Sequence, residues 1–100
     1  MILVKVHTRG LEVLVAACDA HLLGRTLREG EIRLHVSPFY EGERMTEAEF
    51  VHTLQLATIG NFVGRETVDA AKRAGFVAEG NVLWIDGEPH AQMLAMPERE

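Results

Sequence analysis

The first residues of the chain are mostly apolar and β-branched, a pattern typical of β-strands. The segments ILVKVHT (residues 2–8) and LEVLVAAC (residues 11–18) both have this composition, and the dipeptide Arg9-Gly10 separates them. β-Branched residues favour extended backbone, and a glycine between two such segments favours a tight turn. We therefore predict an antiparallel hairpin over these residues.

A third strand is predicted in the segment EIRLHVS, residues 31–37. Side chains along a strand alternate between its two sides. The alternation separates an apolar set from a polar set: Ile32, Leu34 and Val36 against Arg33, His35 and Ser37. The preceding segment, DAHLLGRTLREG, has no sustained periodicity, and we expect only one short helical turn there, capped by Asp19.

The middle of the chain carries a helix signal. Thr46 and Glu49 have capping-box spacing, in which each side chain satisfies a backbone N–H group of the first helical turn. Apolar residues follow at helical spacing, which predicts a helix from about Glu47 to Ile59. We expect Gly60 and Asn61 to interrupt it.

A second helix and a second hairpin are predicted towards the end of the chain. The segment RETVDAAKRA, residues 65–74, has helical spacing and is followed by glycine, which commonly ends a helix. Asp86-Gly87 is a strong signal for a two-residue turn, because both central residues of a type I′ turn need positive φ. It predicts strands near residues 82–85 and 88–93. Pro89 places the last strand at a sheet edge, since proline donates no ladder hydrogen bond.

The predicted order of elements is β-β-β-α-α-β-β. The simplest α+β architecture that fits this order is one largely antiparallel sheet with two helices packed on one face. Residues 1–96 are expected to form a single globular domain, with residues 97–100 as a frayed tail. We expect eight residues to be mutually buried: Val4, Val6, Ile32, Leu34, Val36, Phe50, Leu54 and Val68.

Composition narrows the class of protein. Hydrophobic residues make up 47% of the chain and charged residues 25%, which suits a globular core. Cys18 is the single cysteine, so the chain offers neither an intrachain disulfide nor a CxxC metal motif, and a reducing cytoplasm is expected. The start of the chain is too polar for a signal peptide, and no apolar run approaches the roughly 20 residues of a membrane span. We therefore expect a cytoplasmic protein that does not contact membranes.

Charge is unevenly distributed. The net charge of −5 argues against nonspecific attraction to nucleic acid. Residues 1–40 carry five bases and four acids, a net of +1, whereas residues 41–100 carry five bases and eleven acids, a net of −6. The first part of the chain can therefore present a locally basic surface.

Strand alternation also predicts a polar face on the sheet. If the helices cover the apolar side, the open side carries Lys5, His7, Arg33, His35, His90 and Gln92. The simplest explanation is ordinary solvation, because antiparallel sheets commonly leave one face in water. A recognition surface is the functional alternative, since exposed arginine and histidine bind phosphates and bases. A histidine metal site is the third, and it requires several ligands to converge. His90 is expected at the surface, on the same side as His7 or His35.

The segment TIGNFVGRET raises the possibility of a phosphate-binding loop. Gly60, Asn61 and Gly64 precede the second helix, and a helix N-terminus attracts anions. The segment fits neither the GxGxxG nor the GxxxxGK[ST] pattern. An ordinary turn between two helices explains the same residues better.

Several segments together resemble one protein family. MILVKVH, EVLVAACD, LLGRT, IRLHVS, ATIGNFVG and IDGEPHAQ are similar to the archaeal family called domain of unknown function 424. The resemblance runs from Met1 to about Gln92, and PHAQ is its most specific part. It implies a small archaeal protein with no established activity and an association with translation or RNA metabolism. It also favours Asn61, Gly64, His90 and Gln92 as positions to test.

Two function hypotheses follow. The leading one is a noncatalytic module that binds RNA or a ribonucleoprotein through the open sheet face, without a cofactor. The second is a small metal-dependent hydrolase with His90 as ligand or base. A further alternative is a subunit that docks on another protein or on a second copy of itself.

Overall fold

A six-stranded sheet forms the centre of the protein in the computed structural model, which describes residues 1–95. The strands are β1 (Ile2–Arg9), β2 (Glu12–Asp19), β3 (Thr26–Glu29), β4 (Ile32–His35), β5 (Glu43–Met45), β6 (Ile59–Val63), β7 (Val82–Ile85) and β8 (Glu88–Leu94). The helices are α1 (Glu47–Leu54) and α2 (Arg65–Arg73). Within the described residues, neither helix is long and apolar enough to cross a membrane. The tail predicted at residues 97–100 lies outside these residues.

The sheet is mixed rather than largely antiparallel. Its strand order is β5-β1-β2-β6-β8-β7, and β2 and β6 run parallel while the other neighbours are antiparallel. β3 and β4 form a separate two-stranded sheet. The α+β class and the two helices agree with the prediction, but the predicted strand count and order are wrong.

Local sequence signals predicted the turn at Asp86-Gly87 and the cap of α1 correctly. Asp86 and Gly87 have φ values of 55° and 77° and join β7 to β8. Thr46 and Glu49 make both bonds of the capping box, with Oε1 of Glu49 2.9 Å from the Thr46 nitrogen. These features succeed because each is decided by residues only a few positions apart.

Strands β3, β5 and β6 were missed, and the first helix ends five residues before Ile59. β6 lies between β2 and β8, although glycine and asparagine are poor strand residues. Gly60 is required there because a Cβ atom at this position would collide with the Phe62 ring. Packing against neighbouring strands therefore overrides local propensity, and IGNFV forms a strand instead of a turn between two helices.

Both faces of the sheet are packed, which the sequence did not predict. The two helices cover one face, where Phe50 and Phe62 meet edge to face with centroids 5.6 Å apart. The β3–β4 hairpin and the turn around Tyr40 cover part of the other face, and Leu27 and Val36 are buried there. The segment without periodicity therefore supplies a third layer of the fold.

The predicted core needs correction because the protein has a separate core on each face of the sheet. Val4, Phe50, Leu54 and Val68 share the helix-side core, whereas Val36 belongs to the core on the other face and Leu34 packs against that second core. Two of the eight residues are exposed: Val6 by 43% and Ile32 by 44%.

β8 is not an edge strand despite Pro89. It lies between β6 and β7. The Pro89 carbonyl accepts a hydrogen bond from the Gly64 nitrogen at 2.9 Å, so the backbone groups of Pro89 point towards β6. β6 ends at Val63, and the missing N–H of proline therefore interrupts no ladder bond.

Candidate functional site

Five of the sequence-predicted site residues lie on one face of the six-stranded sheet. The pairing register aligns Lys5, Ala16, Asn61 and Gln92 across four strands. His7 and His90 lie two residues from Lys5 and Gln92 along their strands, so they point to the same side. His90 is half-buried rather than fully at the surface, and it shares this side with His7.

Arg33 and His35 lie elsewhere. β4 pairs only with β3, so the hairpin removes both residues from the central sheet. Arg33 lies directly opposite Arg28, and the His35 Nδ1 atom lies 3.1 Å from the Thr26 hydroxyl. The prediction that these two residues share a surface with Lys5 and His7 on one sheet is wrong.

The hairpin leaves part of this face uncovered, and three adjoining depressions form a continuous groove there. Their volumes are about 490, 470 and 380 Å³. We call this region the groove and define it by its principal lining residues: His7, Phe39, Leu14, Ile59, Asn61, Asn81, Gln92, Leu94, Leu83 and His90. Concave surfaces that combine apolar walls with a few polar groups are typical of binding sites.

An aromatic pair forms one end of the groove. The rings of His7 and Phe39 stack with centroids 4.3 Å apart and planes within 13° of parallel. The His7 Nε2 atom lies 3.0 Å from the Phe39 carbonyl oxygen, so this nitrogen donates its hydrogen to that oxygen. Phe39 nevertheless remains 40% exposed, and the stacked pair presents aromatic surface to the groove.

A hydrogen-bonded cluster forms the polar centre of the groove. The Tyr40 hydroxyl donates to Asn61 Oδ1 at 2.7 Å, and His90 Nε2 lies 3.2 Å from the same oxygen. Burial lowers the pKa of His90, which favours the neutral ring. Burial, with a smaller contribution from Cys18, raises the pKa of Tyr40 to about 12. At neutral pH both partners therefore act as uncharged donors to Asn61.

Gly64 has a structural role in the fold. It precedes α2 with φ of 110°, and a Cβ atom there would collide with the Asp19 carboxylate. Asp19 accepts hydrogen bonds from the Thr67 nitrogen at 2.9 Å and the Thr67 hydroxyl at 2.8 Å. The Glu66 nitrogen donates to the second carboxylate oxygen at 3.2 Å. A protein carboxylate thus occupies the helix N-terminus that was considered as a phosphate site, and Asp19 does not cap the turn that follows it.

One further titratable residue, Cys18, lies on this side of the sheet. Cys18 is buried, and burial together with the nearby Asp19 raises the pKa of its thiol to about 11. The thiol is therefore protonated and unreactive at neutral pH. Within residues 1–95, no three side chains of histidine, cysteine, aspartate or glutamate come together as metal ligands.

The sequence favours loop packing for Phe39 and Tyr40 and gives no signal for Asn81, whereas in the structure Phe39 and Asn81 line the groove and Tyr40 lies buried beneath it. Phe39 and Tyr40 belong to a single 3₁₀ turn, Pro38–Tyr40, that begins with a proline and is capped by the Ser37 side chain. The motif SPFY signals such a turn, since proline suits the first position of a helix. It does not show that the turn packs against β1 and β2 beside the groove.

The structure is therefore that of a small α+β protein with a groove on one face of its central sheet. The family described as "Protein of unknown function (DUF424)" matches residues 6–96, and the chain belongs to this family. The chain is also similar to a crystal structure of an uncharacterized conserved protein from Methanopyrus kandleri. That similarity has a TM-score of 0.82 and 28% identity, and it covers 99% of this chain and 95% of the other. No curated protein matches the sequence.

Proposed function

We propose that the protein is a noncatalytic module that binds single-stranded RNA, free or within a ribonucleoprotein, along the groove. The observation that carries this proposal is the stacked pair of His7 and Phe39 at one end of a row of amide side chains. Unpaired bases stack on aromatic side chains, and amides bond to base edges. Asn61, Asn81 and Gln92 supply those amides within the groove.

Two basic side chains near the groove can contact phosphates, and one acidic residue, Glu12, lines the groove beside them. Arg9 lines the groove beside the aromatic pair, and Lys5 is exposed on the same face. Two phosphate contacts predict a slope of about −1.4 for the logarithm of the binding constant against the logarithm of salt concentration. A protein of net charge −5 has little bulk attraction for RNA, so stacking supplies most of the affinity.

Fluorescence polarisation with a short labelled single-stranded RNA tests the proposal. Phe39→Ala should weaken binding by about 1–3 kcal/mol, the range for one stacked base. Trp84→Ala is the matched control, because Trp84 is a 51% exposed aromatic beneath Arg65 on the helix side of the sheet. The Trp84→Ala variant should bind the RNA with the same affinity as the unchanged protein.

Other results would contradict the proposal. Equal affinity of the Phe39 and Trp84 variants would exclude the groove as the binding surface. Absence of RNA binding, with stoichiometric zinc in the purified protein, would favour instead the metal-dependent enzyme with His90 as ligand or base. Capture of a protein partner that Leu94→Lys releases would favour docking, since Leu94 is 71% exposed at the groove.

A further inference from the structure

The β3–β4 hairpin and the groove lie side by side on the same face of the central sheet. The closed end of the hairpin reaches β7, where Glu29 Oε1 accepts a hydrogen bond from the Asp86 nitrogen at 2.9 Å. Its other end leads into the Pro38–Tyr40 turn, which packs against β1 and β2. The groove has the same two ends, with Phe39 at one and Leu83 at the other. Hairpin and groove therefore cross the sheet in the same direction.

The positions of residues along the strands show that the hairpin borders the groove. Ala16 on β2 and Ile85 on β7 belong to the core that the hairpin covers. Leu14 and Leu83, two positions away on the same strands, line the groove. Residues two apart in a strand point to the same side of the sheet, so the covered band and the open band are neighbours. The hairpin is therefore a wall along one side of the groove.

Two arginines lie on the outer side of this wall. Arg28 and Arg33 are directly opposite each other in β3 and β4, and both are exposed. Their neighbours Leu27 and Leu34 pack against the core, so strand alternation directs the two arginines away from the sheet. We call Arg28 and Arg33 the arginine pair.

The arginine pair combines two like charges without an acidic partner. Like charges directly opposite each other in a sheet are destabilising. Neither guanidinium group forms a salt bridge within residues 1–95. The two acids of the hairpin lie elsewhere, because Glu29 alternates to the other side of β3 and Glu31 lies in the turn. A chain of net charge −5 thus keeps two positive charges together beside the groove, and a bound anion would relieve their repulsion.

We infer that the arginine pair binds the phosphodiester backbone of the same RNA strand whose bases lie in the groove; this inference rests on the proposed RNA binding. A guanidinium group binds a phosphate through two parallel N–H hydrogen bonds. Phosphate contacts position a nucleic acid without reading its sequence, so the wall adds affinity and direction but no base preference. The strand then crosses the sheet along the groove, with its bases on the sheet face and its phosphates on the hairpin.

The salt dependence of RNA affinity tests this inference, measured by fluorescence polarisation with a short labelled single-stranded RNA. Lys5 and Arg9 together with the arginine pair make four phosphate contacts, which predict a slope of about −2.8 for the unchanged protein. The double variant Arg28→Gln/Arg33→Gln should reduce the slope to about −1.4. Each single substitution should give about −2.1, so the test does not depend on the folding of one variant.

The double variant Lys72→Gln/Arg73→Gln is the matched control. It removes the same two positive charges from the chain, but it removes them from α2, on the other face of the sheet. Its slope should remain at about −2.8, because these residues contact no phosphate.

The other outcomes separate this inference from the proposed function. RNA binding with one slope in the unchanged protein and in all the arginine-pair variants would overturn the inference and leave binding in the groove intact. An equal reduction in both double variants would overturn it as well, since bulk charge would then explain the effect. A reduced slope in the arginine-pair variants with normal binding by Phe39→Ala would place the RNA on the hairpin alone and overturn both. Binding of no RNA by the unchanged protein would also overturn both.

Discussion

Replacing Asp19 by alanine should destabilise the protein through a contact between distant parts of the chain. Asp19 ends β2, yet its carboxylate accepts three hydrogen bonds from the first turn of α2. Both Asp19 and Thr67 are buried, so the Thr67 hydroxyl and nitrogen would lose a partner in a place that water does not reach. Loss of a cap costs about 1 kcal/mol, and a buried unsatisfied group costs about 1–3 kcal/mol. We expect Asp19→Ala to lower the free energy of unfolding by about 2–4 kcal/mol.

Urea denaturation followed by circular dichroism measures this loss of stability. A second substitution, at Gly64, tests whether this residue and Asp19 are in contact. Gly64→Ala should be costly because its Cβ atom meets the Asp19 carboxylate at a positive φ. Gly24→Ala is the matched control, since Gly24 has φ of 89° and open space around its Cβ position. In the Asp19→Ala background the two contacts with the carboxyl group are gone and only the contact with the Cβ atom of residue 19, at 2.8 Å, remains, so the Gly64 change should cost less there.

Two results would refute this reasoning. A loss below about 0.5 kcal/mol for Asp19→Ala would mean that the carboxylate does not cap α2. Strictly additive costs for the Asp19 and Gly64 changes would mean that the two residues are not in contact.

The remaining predictions concern the core, the histidine and the groove. Leu54→Ala should cost about 2–5 kcal/mol, whereas Val6→Ala should change stability by less than about 0.5 kcal/mol; denaturation midpoints that rank these the other way would contradict the assigned core. In the folded protein the pKa of His90 lies below its ordinary value of 6.5. As the pH falls, the unfolded chain therefore binds a proton at His90 before the folded protein does, so the free energy of unfolding should decrease as the pH falls below 6.5. His90→Gln should flatten this pH dependence, and identical denaturation profiles would contradict the assignment. Fluorescence polarisation should show a lower affinity for single-stranded RNA in the Phe39→Ala variant and an unchanged affinity in the Trp84→Ala variant.

The sequence predicted those parts of the fold that are decided locally. Thr46 and Glu49 cap α1 through bonds across three positions, and Asp86-Gly87 closes a hairpin whose register follows from the turn. β6 was not predictable in this way, because Gly60 and Asn61 disfavour strands in isolation. Its conformation depends on β2 and β8, which are distant in the chain.

The candidate site was predictable to a similar extent. Alternation places Lys5 and His7 on one side of β1, and that side is the groove side. Arg33 and His35 alternate just as clearly, but their strand joins β3 instead of the central sheet. Period-two patterns specify which residues share a side of a strand, and they do not specify which sheet the strand enters.

Two-dimensional ¹H–¹⁵N NMR with stepwise addition of a short oligo(U) tests the central claim most directly, because it locates bound RNA on the protein. We predict saturable shift changes at His7, Phe39, Asn61 and Gln92, no change in α2, and weaker binding as the salt concentration rises. Shift changes confined to the β3–β4 hairpin around Arg33 would contradict it, as would a spectrum that does not respond to RNA.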